Sequence, residues 1–292
     1  AIHCKSTMNK VIISAALTGA ITTRQQSPAI PYTPEEIAEE GRRAVEAGAS
    51  ILHIHARQDN GVPAYDVDTY RRIGEEVRLR CPDVIINYST GAVGISREER
   101  ITHIPELKPD MAALNMGSMN YAIYSEKKKK FYHDFVFQNP FGDIQFYLEK
   151  MNEAGVRPEM ECFDRGHIHN ARPLMDMGIL KPPYQFSLIM GVLGGVPGTT
   201  KELVQQVDAL PAGSHWQVIG ISLEQWALVA AAITLGGNIR VGLEDNLYLS
   251  PGQLAQSNGE LVAKAATLVR LIGAEVATIS ETREILQIPL RN

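Results

Sequence analysis

Residues 51–61 read ILHIHARQDNG: an apolar run with His53 and His55 one residue apart inside it, which then breaks into polar, turn-forming residues. Side chains alternate across a strand, so both imidazoles would project from one face. Their attachment points would stand roughly 7 Å apart, close enough for the two rings to share one ion. Two readings compete: a core strand carrying two hydrogen-bonded histidines, or half of a metal site. The choice depends on where this strand sits among its neighbours.

Short runs of the same kind recur along the chain: VIISAAL (11–17), VIINYST (84–90), MAALNMG (111–117), PEMECF (158–163), YQFSLIM (184–190), HWQVIGI (215–221) and NIRVGLE (238–244). With ILHIHA (51–56) they make eight. Between most of them lie segments of helical spacing, among them TPEEIAEEGRRAVEAG (33–48), DVDTYRRIGEEVRLRC (66–81) and SNGELVAKAATLVRLIG (257–273). In the first of these Thr33 can cap, Pro34 suits the first turn, and Glu35 and Glu36 favour the positive helix end. Near-continuous apolar strands separated by amphipathic helices imply a parallel sheet covered on its faces. Eight such units in 292 residues imply one α/β domain, a closed (β/α)8 TIM barrel over residues 9–292. An open doubly wound sheet competes, but the glycine fingerprint expected after its first strand is replaced by ALTGAITTRQQSP. Residues 1–8, AIHCKSTM, are read as an N-terminal extension, native or appended, outside the functional domain.

A 45% hydrophobic composition is enough for a substantial core. The formal charge of −5 offers no basic field for nucleic acid, and the dense cluster KKKK (127–130) reads as a solvated loop or helix end. Three scattered cysteines, Cys4, Cys81 and Cys162, make no disulfide framework and point to a reducing, cytoplasmic setting. No apolar run approaches the roughly 18 residues of a membrane span, so no membrane partner is expected.

In a barrel, chemistry gathers at the C-terminal ends of the strands. Strand two ends with His53 and His55, and strand eight with Glu244 and Asp245. Only strand one separates them, so Glu244 can join the histidines in a two-histidine, one-carboxylate set that would hold a metal with positions left open. An isolated buried histidine is usually a satisfied core residue, whereas an HxH at a strand end opposite a glutamate favours metal. This ligand set alone also admits manganese, cobalt or iron. Ser89, Thr90, Asn115 and Glu161 end strands three to five and are candidate substrate contacts. A second HxH, His167 and His169, follows strand five and leads into a helix, where capping or substrate contact is the better reading. No lysine stands at a strand's C-terminal end, which removes the usual Schiff-base nucleophile, and GxSxG is missing. The loop IMGVLGGVPGTT (189–200) offers Gly194, Gly195 and Thr199 to a phosphate- or thioester-bearing cosubstrate; a tight turn is the plain alternative.

Seven collinear segments resemble the β-keto acid cleavage enzymes, the family that includes 3-keto-5-aminohexanoate cleavage enzyme: ISAALTGA, AGASILHIHAR, NYSTG, ALNMGS, PEMECFDRGHI, GVLGGVPGT and IRVGLEDNLYL, spread over residues 9 to about 285. The resemblance implies a zinc ion, one per chain, on His53, His55 and Glu244, and acetyl-CoA as cosubstrate. The products would be acetoacetate and a new acyl-CoA. It further implies Ser89 against the β-keto acid, Arg240 with Asp245 as acid/base pair, and a homotetramer. Asp245 follows Glu244 directly, so the backbone must turn there for both to face the mouth. One departure concerns Ile21: the aminohexanoate-cleaving members place there a glutamate that meets the substrate's ammonium group. An isoleucine implies a neutral or apolar substrate end, with an anionic group held by Arg24 left open. A metal-dependent hydrolase of the amidohydrolase type is the alternative enzyme, although its HxH belongs on the first strand. A non-catalytic ligand-sensing barrel is the alternative of another class.

Overall fold

The computed structural model describes residues 9–290; the expected extension at 1–8, with Cys4, lies outside the described residues. The eight strand-like runs form eight strands: β1 (Ile13–Ala16), β2 (Ile51–Ile54), β3 (Ile85–Tyr88), β4 (Met111–Asn115), β5 (Arg157–Cys162), β6 (Gln185–Met190), β7 (His215–Gly220) and β8 (Asn238–Val241). They close into one barrel in chain order, every neighbour parallel, with β8 beside β1 and β1 beside β2. The principal shell helices are α1 (Pro34–Ala47), α2 (Val67–Arg80), α3 (Phe141–Ala154), α4 (Thr200–Asp208), α5 (Glu224–Thr234) and α6 (Asn258–Leu271). At the start of α1 the Thr33 side chain accepts from the Glu36 amide and the Glu36 side chain accepts from Thr33, a reciprocal cap that fixes the turn leaving β1. No helix among the described residues is long and apolar enough to cross a membrane.

Inward side chains stack in layers two residues apart. Ile12, Ile51, Ile85 and Met111 form an apolar floor that packs on Ala277, Leu286 and Ile288 of the C-terminal segment. Cutting one of these to alanine would cost roughly 2–5 kcal/mol. Above the floor the interior turns polar. Ser14 Oγ donates to Gln217 Oε1 (2.8 Å), Gln217 Nε2 to Ser187 Oγ (2.9 Å) and Asn87 Nδ2 to Glu159 Oε2 (2.5 Å). A buried polar layer is tolerated when hydrogen-bonded, and these bonds tie β1 to β7 and β6, and β3 to β5, under the mouth.

The sequence KKKK is not a helix end. It forms the tip of an antiparallel hairpin, Met119–Ser125 with Lys130–Phe137, that rises from the C-terminal rim after β4. Tyr121 and Phe135 stack across its strands with centroids 5.0 Å apart, and its base, Met119 and Phe137, packs with Phe163, Ile189 and Ile219. The hairpin walls one side of a cavity of about 1030 Å³ above the strand ends.

Candidate active site and metal centre

The strand ends bring the expected ligands together. His53 Nε2 lies 3.7 Å from one Glu244 oxygen and His55 Nε2 lies 3.2 Å from the other. One donor atom from each of the three fits within 4.8 Å of the others. The two rings meet edge to face with centroids 5.3 Å apart. Glu244 reaches them because β8 ends at Val241 and Gly242 breaks the strand with φ 142°, where a Cβ would meet the Ala16 carbonyl oxygen at 2.1 Å. Asp245 and Asn246 amides then both donate to the Gly242 carbonyl (3.1 Å each). This is the turn that consecutive Glu244 and Asp245 require, and it puts both on the cavity wall.

The donor set suits a divalent first-row ion: two imidazole nitrogens and a carboxylate whose Oε2 is buried with no hydrogen-bond partner. Burial, helped by Arg240 and His55, holds His53 well below the usual histidine range, in the neutral form that can ligate. Burial works against Glu244's charge, but His55, His53 and Arg240 outweigh it and hold this carboxylate below its ordinary value. His53 also groups with Glu159 and Glu161. That second set is poorer for an ion: Glu159 gives Oε2 to Asn87 and does not line the cavity, while burial and the adjacent Glu159 raise the Glu161 carboxyl well above its ordinary value.

Beside the ligands, Arg240 donates through Nε and Nη2 to the two oxygens of Asp245, both at 2.8 Å, and through Nη2 to Glu244 Oε1 at 3.3 Å. Its Nη1 has no hydrogen-bond partner, with Glu161 Oε1 3.6 Å away. For Asp245, burial outweighs the pull of Arg240, so its carboxyl sits above the ordinary aspartate value. That makes it a stronger base than a solvated aspartate, the property a proton acceptor needs.

The other expected contacts divide. Ser89, Asn115, Glu161 and Ile21 are on the cavity wall. Ser89 Oγ accepts from the Gly91 amide (3.1 Å), which leaves its own proton free to donate. Thr90 is absent from the wall: its Oγ1 donates to the Ala113 carbonyl at 2.6 Å. Gly194 and Gly195 face away as well, since a Cβ on them would strike the Asn120 carbonyl at 1.7 Å and the Phe163 carbonyl at 2.6 Å. They let the loop after β6 pass close to the hairpin at Asn120 and to the chain after β5 at Phe163, and Gly191, Val192 and Leu193 form the wall instead. Thr199 caps α4 by accepting from the Glu202 amide. Arg24 is turned from the cavity; it pairs with Glu36, donates to the Ile30 carbonyl and covers the Tyr32 ring.

Two supports went unnoticed in the sequence. Arg57, fully buried, donates to the carbonyls of Gly19 (2.7 Å), Thr18 (3.1 Å), Thr22 (2.7 Å) and Gly61 (3.0 Å), and so clamps the loop that carries Ile21. His103 is within 2.9 Å of the Ser89 carbonyl and stacks on Tyr70 at 4.1 Å. Arg57 closes the quoted segment AGASILHIHAR, a signal that was available; nothing in THIPEL marks His103.

A parallel barrel whose C-terminal mouth holds an open two-histidine, one-carboxylate set beside a buried Arg–Asp pair defines a class: a barrel with a candidate metal site of the kind that handles carbonyl substrates. Comparison with known proteins narrows this class. Residues 10–288 match the family described as beta-keto acid cleavage enzyme, and the chain belongs to that family. A 3-keto-5-aminohexanoate cleavage enzyme of Fusobacterium nucleatum is 41% identical over 96% of this chain and 99% of its own. A 3,5-dioxohexanoate:acetyl-CoA acetone transferase of Paraburkholderia graminis is 34% identical over 97% of each. The apo structure of ObcA, 23% identical, superposes with a TM-score of 0.77 over 90% of this chain and 66% of that one, a likeness of fold. The chain is therefore a β-keto acid cleavage enzyme, and the amidohydrolase alternative finds no support. Of the two later histidines that alternative could draw on, His167 accepts from the Phe163 amide at Nδ1 (3.1 Å) and sets Nε2 3.2 Å from the Ser118 carbonyl, and His169 is exposed.

Proposed function

We propose that this enzyme exchanges acyl groups between a β-keto acid and acetyl-CoA. The bond between the keto carbon and the CH2–carboxylate unit breaks, as does the acetyl thioester bond. The CH2–carboxylate unit takes the acetyl group to become acetoacetate, and the remaining acyl group leaves on CoA sulfur. The observation that carries this reading is the convergence of His53, His55 and Glu244 with the Arg240–Asp245 pair on one cavity wall, in a chain of this family.

Asp245, raised by burial, is the group to take the proton from the carbon between the two carbonyl functions. Arg240 orients that carboxylate through two bonds and offers its unpartnered Nη1 to the acid's carboxylate. Ser89 donates its free hydroxyl proton to the same end of the substrate, Asn115 lies beside it, and Glu161, raised by burial and by Glu159, faces the same cavity. A zinc ion held by His53, His55 and Glu244, one per chain, would supply polarisation of the keto oxygen, the stabilisation that the missing Schiff-base lysine would otherwise give. The backbone of Gly191–Leu193 fits the thioester arm. A homotetramer follows from the resemblance, which sedimentation would test, and a cytoplasmic setting follows from the scattered cysteines.

Ile21 on the wall offers a cation nothing, and Arg24 is engaged elsewhere, so the far end of the acid is neutral or apolar. The relatives' names span different acids, so family membership sets the reaction and leaves the acid to residues such as this one. The test is a panel of β-keto acids with acetyl-CoA, followed by mass spectrometry of acetoacetate and acyl-CoA. Uncharged acids should give the highest kcat/KM, and Ile21→Glu should shift the preference toward 5-amino-3-ketohexanoate. Strong wild-type preference for the amino acid would overturn the substrate assignment.

A further inference from the structure

All four side chains of the Lys127–Lys130 cluster are exposed, and none is in an ion pair among the described residues, although Lys130 Nζ lies over the Tyr132 ring at 5.4 Å; Arg42, Arg97 and Arg240, by contrast, are each paired. The cluster stands out against a chain of net charge −5, with Glu126 and Asp134 the acids flanking it in sequence. Its position is what gives it meaning. Tyr121, Ile123, Tyr124, Glu126 and His133 line the same cavity as His55 and Glu244, so the cavity runs from the strand ends up to the hairpin tip. At that tip Tyr124 and Phe131 form an aromatic pair with centroids 4.9 Å apart, and they are 40% and 55% exposed.

We propose that the hairpin tip holds the nucleotide end of the CoA thioester: Lys127–Lys130 bind its phosphates and Tyr124 with Phe131 provides a face for the adenine. This rests on acetyl-CoA being the cosubstrate. The dimensions agree. Six strand steps from Met119 at the base to Ser125 beside the turn cover about 20 Å at roughly 3.3 Å each. The roughly thirteen bonds from CoA sulfur to its first phosphorus reach about 16 Å if each advances some 1.2 Å, as in an extended peptide. A thioester whose carbonyl lies at the strand ends therefore presents its phosphates to the lysines. The apolar wall between, from Tyr121 to Tyr124 on one side and Val192 and Leu193 on the other, suits the pantetheine arm. Phosphates favour clustered ammonium groups, and purines stack on exposed aromatic rings.

The test replaces Lys127→Ser, Lys128→Ser, Lys129→Ser and Lys130→Ser together and compares acetyl-CoA with S-acetylpantetheine, which lacks the nucleotide. KM for acetyl-CoA should rise roughly tenfold or more with kcat little changed, and added salt should raise the wild-type KM but not the variant's. KM for S-acetylpantetheine should not move, which also shows that the variant is folded. Phe131→Ser should weaken inhibition by adenosine 3′,5′-diphosphate, and undiminished inhibition would overturn the adenine face. An unchanged KM for acetyl-CoA in the lysine variant overturns the proposal. If the wild type uses neither thioester, the cosubstrate reading is what has failed; calorimetry with CoA then decides the rest, since equal binding to wild type and variant, or none to either, rejects the hairpin site.

Discussion

The chain carries two HxH motifs, and they have opposite fates. His53 and His55 sit at the end of a strand, where residues two apart share a face, and both turn toward Glu244. His167 and His169 sit in a single helical turn, Arg165–His169, where residues two apart are about 200° apart around the axis. One of them, His167, is buried and spent on backbone groups of Phe163 and Ser118; the other, His169, is exposed. Identical spacing therefore says nothing about metal until the secondary structure under it is known. A strand lets the pair face one ion together, and a helical turn splits it into a pin and a surface residue.

Four perturbations probe this contrast. The largest effect is expected from His55→Ala or Glu244→Gln: bound metal should fall to a small fraction of wild type, and turnover should drop by about 10³-fold or more. Metal analysis beside kinetics reads both, and a variant that keeps its metal would dissolve the contrast. Next, Asp245→Asn should cost about 10²–10⁴ in kcat while leaving metal content intact. Because the base must be ionised, wild-type kcat/KM should fall as pH drops through Asp245's carboxyl, above the ordinary aspartate value since burial raises it. That limb should vanish in the variant.

His103 sets a stability effect. Burial lowers it to about 4 from an ordinary 6.5, so the unfolded chain takes up the proton first. Its contribution is complete above pH 6.5 and is lost as pH falls toward 4, to a maximum of about 3 kcal/mol. Denaturant unfolding across this window should show a shallower loss in His103→Gln. The smallest effects belong to the second motif. His167→Ala should destabilise by about 1–3 kcal/mol through the orphaned Phe163 amide, with metal content unchanged, and His169→Ala should alter neither. Metal loss in His167→Ala would make the two motifs equivalent after all.

How far the sequence could be read follows the same logic. The eight strands were legible because each is an unbroken apolar run, and Glu244 was legible as a partner because barrel closure makes strands two and eight near neighbours. The hairpin was missed: its strands are half exposed, no Asn-Gly or Asp-Gly marks the turn, and four lysines hide the alternation of YAIYS and FYHDF. Glycines 194 and 195 pointed to ligand because a glycine-rich loop looks alike whether it admits a phosphate or another backbone. Here the other backbones are the hairpin at Asn120 for Gly194 and the segment after β5 at Phe163 for Gly195. Thr90 lies two residues past the end of β3 rather than on the strand, and its hydroxyl is absorbed by Ala113. Arg57 and His103 act through backbone carbonyls, and such partners leave no pattern in a sequence.

The most direct measurement uses acetyl-CoA labelled with carbon-13 in both acetyl carbons, a saturating uncharged β-keto acid and the zinc-loaded enzyme, with products resolved by mass spectrometry. Acyl exchange at the site of His53, His55 and Glu244 should place both labelled carbons in acetoacetate and none in the new acyl-CoA, with loss of product on chelation and recovery on adding zinc. Label appearing as free acetate with no labelled acetoacetate, or turnover indifferent to chelation, would contradict it.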